Sequence, residues 1–128
     1  MLTLALTPIT QFYMFDFEKL TVYQKAKQAR KQLFSCIKDK HGIDKFLSDQ
    51  IRRSALSIIL NIAEGTGKSS KADKKNYFTV ARGSTYETAA IIDTLKDDGF
   101  IEDDEYNNLY LIYEEISKML LGLMNSLK

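Results

Sequence analysis

The chain has 128 residues, a length that fits one domain with a single core. Hydrophobic residues make up 45% and charged residues 27%, with one Pro and no low-complexity tract, so the composition excludes a largely disordered protein. The net charge of +1 is unevenly spread, because residues 1–40 hold seven Lys and Arg against three Asp and Glu, whereas residues 71–128 hold seven against eleven. This polarity suits either the pairing of subunits or a basic face for a polyanion.

The first residues are apolar, but Pro8 interrupts the run, and neither a positively charged start nor a signal cleavage site accompanies it. We therefore expect no secretory signal and no membrane span, and a cytoplasmic location. The sequence predicts an irregular N-terminal arm over residues 1–13 and a folded domain over residues 14–128.

From Phe17 to about Lys40, apolar residues at helical spacing predict the first helix. Three lysines share one edge of this helix: Lys27, Lys31 and Lys38. Lysines at this spacing are typical either of a solvated helix face or of a surface that contacts phosphates.

The second helix is predicted to run to Glu64, after a glycine-containing break at residues 41–44 that offers Asp44 as an N-cap. Ser48 is a second N-cap candidate, so a short helical turn is expected to precede the long helix. Apolar side chains fill about 200° of this helix, more than one packing partner covers, so it is central in a bundle or also faces another subunit. Arg52 lies within that arc and either snorkels to solvent or pairs with a carboxylate. The polar stripe, about 100° wide, contains Gln50, Arg53, Ser54, Ser57, Asn61 and Glu64.

Residues 65–69, GTGKS, look like part of a phosphate-binding loop, but Ile62 occupies the position where that loop needs its first glycine. We predict a flexible helix connection instead, and a third helix that begins after Ser70 and ends at about Asp98. Gly83, in mid-helix, predicts a close approach by another helix. The connection and the next turns carry the lysines Lys68, Lys71, Lys74 and Lys75. The predicted inward face consists of Tyr77, Val80, Ala81, Ser84, Thr85, Thr88, Ile91, Ile92 and Leu95.

Gly99 ends the third helix, and four carboxylates at residues 102–105 begin the fourth, where the helix macrodipole favours negative charge. Four amphipathic helices joined by short connections predict an all-α protein, an antiparallel up-down-up-down four-helix bundle. The second and fourth helices carry surplus apolar surface, which a closed homo-oligomer would cover. The predicted apolar face of the fourth helix contains Leu109, Ile112, Tyr113, Ile116, Met119, Leu120, Leu123, Met124 and Leu127.

Residue patterns typical of enzyme sites are missing from the sequence. The only histidine, His41, lies in a predicted turn with no serine or cysteine motif to serve, and the only cysteine, Cys36, has no metal-ligand spacing with it. We therefore expect no enzymatic activity, no cofactor, no metal and no small-molecule substrate. An enzyme built on helix side chains is a third hypothesis, with Arg52, Arg53, Glu64 and Glu87 as its residues.

Residues of the second and third helices form a recognisable string. Ser48-x-Gln50-Ile51-Arg52-Arg53-Ser54-Ala55, Ser57-Ile58, Asn61-Ile62-Ala63-Glu64-Gly65, Tyr77-Phe78 and Ala81-Arg82-Gly83-Ser84 resemble the signature of bacterial four-helix-bundle proteins encoded in intervening sequences of 23S ribosomal RNA genes. That family is often labelled a ribosomal protein family, and relatives assist the reverse transcriptase of diversity-generating retroelements. The resemblance implies a left-handed four-helix bundle, a homopentamer and no established enzymatic activity. The chain departs from the family at Asp44-Lys45-Phe46, where a proline is usual.

The first functional hypothesis is a homo-oligomer that binds RNA or a ribonucleoprotein through its lysine-rich edges, at Lys27, Lys31, Lys38, Lys68, Lys71, Lys74 and Lys75. The second is a protein-interaction or scaffolding module with no nucleic-acid binding. Ion pairs of Arg52 or Arg53 with Glu64 or Glu87 would fix the packing of the second and third helices, within or between subunits. The residues to which we assign a structural or interface role are Arg52, Arg53, Asn61, Glu64, Gly83 and Glu87.

Overall fold

The computed structural model of the protein describes residues 15–127. A short 3-10 helix, Asp16–Lys19, precedes four α-helices: α1 (Thr21–Ile37), α2 (Lys45–Thr66), α3 (Lys71–Asp97) and α4 (Asp103–Asn125). No strand occurs within the described range, so the all-α prediction is confirmed there. The predicted N-terminal arm, residues 1–13, lies outside the described residues.

The first two helices begin at different residues from those predicted. Leu20 has an extended backbone, which separates the 3-10 helix from α1, so one continuous helix from Phe17 is wrong. Helix α2 begins at Lys45 without a separate turn before Ser48, because the Asp44 side chain already caps it by accepting a hydrogen bond from the Phe46 amide.

The later boundaries follow ordinary capping chemistry. The Ser70 hydroxyl accepts a hydrogen bond from the Asp73 amide at 3.0 Å, which confirms the predicted start of α3. Gly99 lies just beyond α3 with a φ of +86°, a conformation that suits glycine and turns the chain toward α4.

Neighbouring helices are antiparallel, because residues late in one helix contact residues early in the next. Helix α1 packs on α2 and α4, and α3 packs on the same two helices, so α1 and α3 are diagonal. The contacts that establish the directions are Lys25 with Glu115 and Cys36 with Glu105 between α1 and α4, Gln50 with Glu87 and Ser57 with Ser84 between α2 and α3, and Arg82 with Ser117 and Asp93 with Tyr106 between α3 and α4.

The core contains residues from all four helices, including most of the predicted inward faces. One assignment on α3 is wrong, because Val80 is 51% exposed, and Phe78, which was not among the predicted inward residues, is buried. The reason is that Gly65 on α2 leaves room for the Phe78 ring, whereas Val80 lies toward the outer edge of α3. The fully buried large side chains include Leu33, Ile51, Ile58, Ile62, Ile92, Leu95, Leu109, Tyr113, Ile116 and Leu120.

Ser54 does not belong to an exposed polar stripe as predicted. It is buried, and its hydroxyl accepts a hydrogen bond from the Thr88 hydroxyl at 2.8 Å. The Ser84 carbonyl lies at the same distance, 2.8 Å, from the Thr88 hydroxyl and is the alternative acceptor for its single hydrogen, so these buried hydroxyls have partners within the α2–α3 contact. The polar stripe of α2 therefore lies against α3 along one side.

Candidate functional site

Four of the seven predicted lysines come together around the connection between α2 and α3. Lys74 Nζ donates to the Thr66 carbonyl at 2.7 Å, which ties the start of α3 to the end of α2. Lys68 Nζ lies 5.0 Å from the centroid of the Tyr77 ring, and Lys71 and Lys75 are exposed. This group is positively charged and lies at the N-terminal end of a long helix, which adds a partial positive charge of its own.

Of the other three predicted lysines, Lys27 and Lys31 lie on α1 and Lys38 is its C-cap residue; α1 is diagonal to α3. Lys27, Lys31 and Lys38 are all exposed, and Lys27 Nζ is 5.4 Å from the Tyr23 ring centroid. The structure therefore separates the predicted lysines into two edges of the bundle and does not bring all seven together.

Neither edge is neutralised by carboxylates. Among residues 15–127, none of the seven lysines lies within 4.0 Å of a carboxylate oxygen. The lysines that do form ion pairs with acidic residues are Lys25, Lys40, Lys45, Lys96 and Lys118.

A polar groove of about 540 Å³ runs between α2 and α3. Its base is a hydrogen bond of 2.8 Å between the hydroxyls of Ser57 and Ser84, and the Asn61 amide donates to the Ser57 carbonyl at 2.8 Å. Leu56 and Leu60 border the groove and are 40% and 53% exposed. The groove thus combines satisfied polar groups with an uncovered apolar edge.

The predicted structural arginines do not pair with the predicted carboxylates within the described chain. Arg52 is exposed, and its guanidinium carbon lies 5.0 Å from the centroid of the Phe34 ring. Arg53 and Glu64 are exposed on the rim of the polar groove, and Glu87 accepts a hydrogen bond from the Gln50 amide at 3.3 Å. In the single chain, the Arg52 guanidinium therefore stacks on the Phe34 ring and stays in contact with solvent. This corresponds to the first of the two predicted alternatives, a side chain that snorkels to solvent.

Gly65 and Gly83 do not have the roles that were predicted for them. A Cβ atom added at Gly83 would meet nothing within 4 Å, so no helix of the same chain approaches there and that prediction is wrong within the chain. A Cβ atom at Gly65 would lie 2.8 Å from the Phe78 ring and 2.9 Å from Tyr77 Cβ. Gly65 was predicted to end α2, but it lies inside the helix and permits its close contact with α3.

The single cysteine belongs to a polar cluster between α1 and α4. Cys36 Sγ donates to Glu105 Oε2 at 3.2 Å, and Lys40 Nζ donates to Glu105 Oε1 at 3.1 Å. Burial, together with the hydrogen bond to Glu105, raises the pKa of the Cys36 thiol to about 11. A thiol with this pKa is protonated at neutral pH, so it is a poor nucleophile.

A second groove, between α3 and α4, was not anticipated from the sequence. The rings of Tyr86 and Tyr110, 59% and 46% exposed, border a cavity of about 230 Å³. Arg82 is held beside it, because Nε donates to the Ser117 carbonyl and Nη2 donates to the Tyr86 hydroxyl, both at 3.2 Å. Tyr106, Tyr110 and Tyr113 share one edge of the fourth helix in the sequence, but their spacing gives no information about Tyr86 on the facing helix.

No group of three or more His, Cys, Asp or Glu side chains is arranged to hold a metal ion between residues 15 and 127. Over the same residues, no helix combines the length and apolar character needed to cross a membrane.

The antiparallel arrangement of α1 to α4 defines the class: the protein is a four-helix bundle with short connections. Residues 18–122 match the sequence profile of the family described as 23S rRNA-intervening sequence protein, so the chain belongs to that family. It is similar to a crystal structure from Bacteroides thetaiotaomicron, a protein of unknown function from the S23 ribosomal protein family. The two chains share 26% identity with a TM-score of 0.74, over 81% of this chain and 98% of the other. A comparison with curated proteins finds no match.

Proposed function

We propose that the protein is a non-enzymatic, cytoplasmic homopentamer that binds RNA, free or within a ribonucleoprotein, through its lysine-rich edges. The observation that carries the proposal is that the predicted lysines have no carboxylate partner among the described residues, while other lysines of the bundle do. Unpaired ammonium groups can neutralise phosphates and release their counterions without first breaking an ion pair.

The two edges contribute differently to this proposal. The edge at Lys71 and Lys75 is compact and adjoins a helix N-terminus, which suits a polyanion. The α1 edge is a longer row, Lys27 to Lys38, that extends contact along the bundle. In a ring of subunits each edge would recur around the assembly, so weak contacts of a single subunit would add by avidity.

The test compares two double variants that remove the same charge. Lys71→Gln/Lys75→Gln removes unpaired lysines, whereas Lys25→Gln/Lys45→Gln removes lysines already paired with Glu115 and Asp49. Binding of a labelled single-stranded RNA is followed by fluorescence anisotropy at several salt concentrations. We expect the first variant to bind more weakly and to lower the slope of log K against log salt by about 0.7 for each lost contact, and the second to resemble wild type. Wild-type protein that binds no RNA at low salt, or binds it independently of salt, would refute the proposal.

A second candidate function is a protein-interaction module without nucleic-acid binding. The observation in its favour is the exposed pair Leu56 and Leu60, one helical turn apart on the border of the α2–α3 groove, because uncovered apolar surface beside a groove is typical of a protein interface. In this case the Lys71→Gln/Lys75→Gln variant would retain every complex that the wild-type protein forms.

A further inference from the structure

The groove between α3 and α4 has the shape of an aromatic slot. Tyr86 on α3 and Tyr110 on α4 border its mouth, and smaller side chains, Thr85, Ala89 and Ser117, line it with them. Both tyrosine rings are about half exposed, although burial of aromatic surface is favourable. A flat apolar group inserted at this mouth would cover ring surface that the chain itself leaves in water.

A row of cations leads to the slot along α3. Arg82 lies one turn before Tyr86, its guanidinium carbon is 5.1 Å from the ring centroid, and two of its nitrogens are fixed by hydrogen bonds. Lys75 and Lys71 precede Arg82 by seven and eleven residues, which at 100° per residue places all three on the same side of the helix. Successive positions are separated by about 6 Å and about 10 Å along the helix axis.

The rim of the slot also carries hydrogen-bonding groups. The Glu114 carboxylate, which lines the cavity, accepts a hydrogen bond from the Tyr110 hydroxyl at 3.5 Å and lies 3.6 Å from Lys118 Nζ. A carboxylate at this position can accept from an N–H or amino group on the edge of a base. Cations and exposed aromatic faces are the features with which proteins bind single-stranded nucleic acid, and an edge acceptor adds a hydrogen bond to them.

We propose that the α3–α4 groove binds single-stranded RNA by stacking an unpaired base between Tyr86 and Tyr110, while Arg82, Lys75 and Lys71 contact the adjoining phosphates. This inference rests on the proposed RNA binding and adds a base-dependent contact to it. Duplex RNA binds less well here, because its bases are stacked on one another and cannot enter the slot. The contact is tolerant of sequence, since every base offers a π face.

The test uses oligouridylate of about 12 nucleotides and the same strand with abasic sites as probes. Tyr86→Ala and Tyr110→Ala each weaken binding of oligouridylate about 5- to 150-fold, which corresponds to the loss of one stacked base. Tyr86→Phe and Tyr110→Phe keep the ring and lose only a hydroxyl contact to Arg82 or Glu114, so each binds more tightly than the alanine variant at the same position. Phe46→Ala, which removes an exposed ring at the start of α2, is the matched control and leaves binding unchanged. The chain has seven Tyr and no Trp, so the part of the tyrosine quenching by oligouridylate that Tyr86→Ala or Tyr110→Ala removes reports stacking on that ring.

The outcomes separate this inference from the proposed function. If wild-type protein binds neither strand at low salt, RNA binding itself fails. If it binds both strands equally, and the alanine variants do the same, the lysine edges bind RNA and the stacking inference is overturned. An alanine variant with a smaller solution mass than wild type would show that the groove is a contact between copies of the chain, which also overturns it.

Discussion

Gly65 illustrates how one residue sets the distance between two helices. Phe78 from α3 packs directly against the backbone of α2 at this position, where any side chain would intrude. Glycine costs about 1 kcal/mol in a helix interior relative to alanine, so the contact with the Phe78 ring must offset that cost. Gly83 carries the same cost without any neighbour in the described chain to offset it.

The two glycines therefore respond in opposite ways to the same substitution. Gly65→Ala gains helix propensity but overpacks the α2–α3 contact, so we expect a net loss of about 1 to 2 kcal/mol in the free energy of unfolding. Gly83→Ala meets open space and stabilises the protein by up to about 1 kcal/mol. Thermal or urea denaturation followed by circular dichroism measures both. A Gly83→Ala variant that unfolds more easily than wild type would show that another chain contacts α3 there.

At the level of elements, one carboxylate joins the start of α4 to the end of α1. Glu105 accepts hydrogen bonds from the Glu102 amide, from the Cys36 thiol and from the Lys40 ammonium group. These bonds, the backbone bond first, lower the pKa of Glu105, and the same carboxylate raises the pKa of Lys40. The ionised carboxylate thus caps α4 and holds it against α1.

This arrangement predicts an acid-dependent loss of stability. Because the pKa of Glu105 is lower in the folded protein than in the unfolded chain, its contribution is complete above the ordinary glutamate pKa of 4.5 and is lost as the pH falls through the folded value. Melting temperatures measured between about pH 3 and pH 7 should therefore fall in acid. We expect a shallower fall for Glu105→Gln, which can still accept from the Glu102 amide but does not titrate. Identical pH profiles for the two proteins would contradict this role.

Helical periodicity was sufficient to predict the four helices and most of their buried residues. The reason is that residues on the buried face of a helix recur about every 3.6 positions, and apolar residues in the sequence recur with the same spacing. It failed where a single contact overrides the average. Phe78 is buried in place of Val80 because Gly65 has no side chain to keep the Phe78 ring away from α2. The break before α1 depends on the extended backbone of Leu20. Neither cause leaves a signal in a hydrophobic pattern.

The candidate sites depend on the arrangement of the whole molecule. The seven lysines could be named from the sequence, but their separation onto α1 and α3 follows from the diagonal placement of these helices. The slot of Tyr86 and Tyr110 joins residues on two helices, and Arg82 is held beside it by hydrogen bonds to Ser117 on α4 and Tyr86 on α3. Spacing along the chain predicts which residues share a helix face, whereas contacts across a groove require the fold.

The surplus apolar surface of α2 yields the last prediction. In the single chain α2 is not central: Leu56 and Leu60 remain exposed beside the polar groove, as expected for a helix that also faces another subunit.

We expect light scattering to show a pentamer whose mass does not change with salt, because apolar contacts are not screened. Leu56→Gln/Leu60→Gln should dissociate it while helicity persists, since neither side chain belongs to the core. Lys27→Gln/Lys31→Gln, a double change of exposed side chains on α1, is the control and should leave the pentamer intact. A wild-type monomer would refute this account of α2, and an absorbance ratio at 260 and 280 nm that reveals salt-removable nucleic acid would link the assembly to RNA.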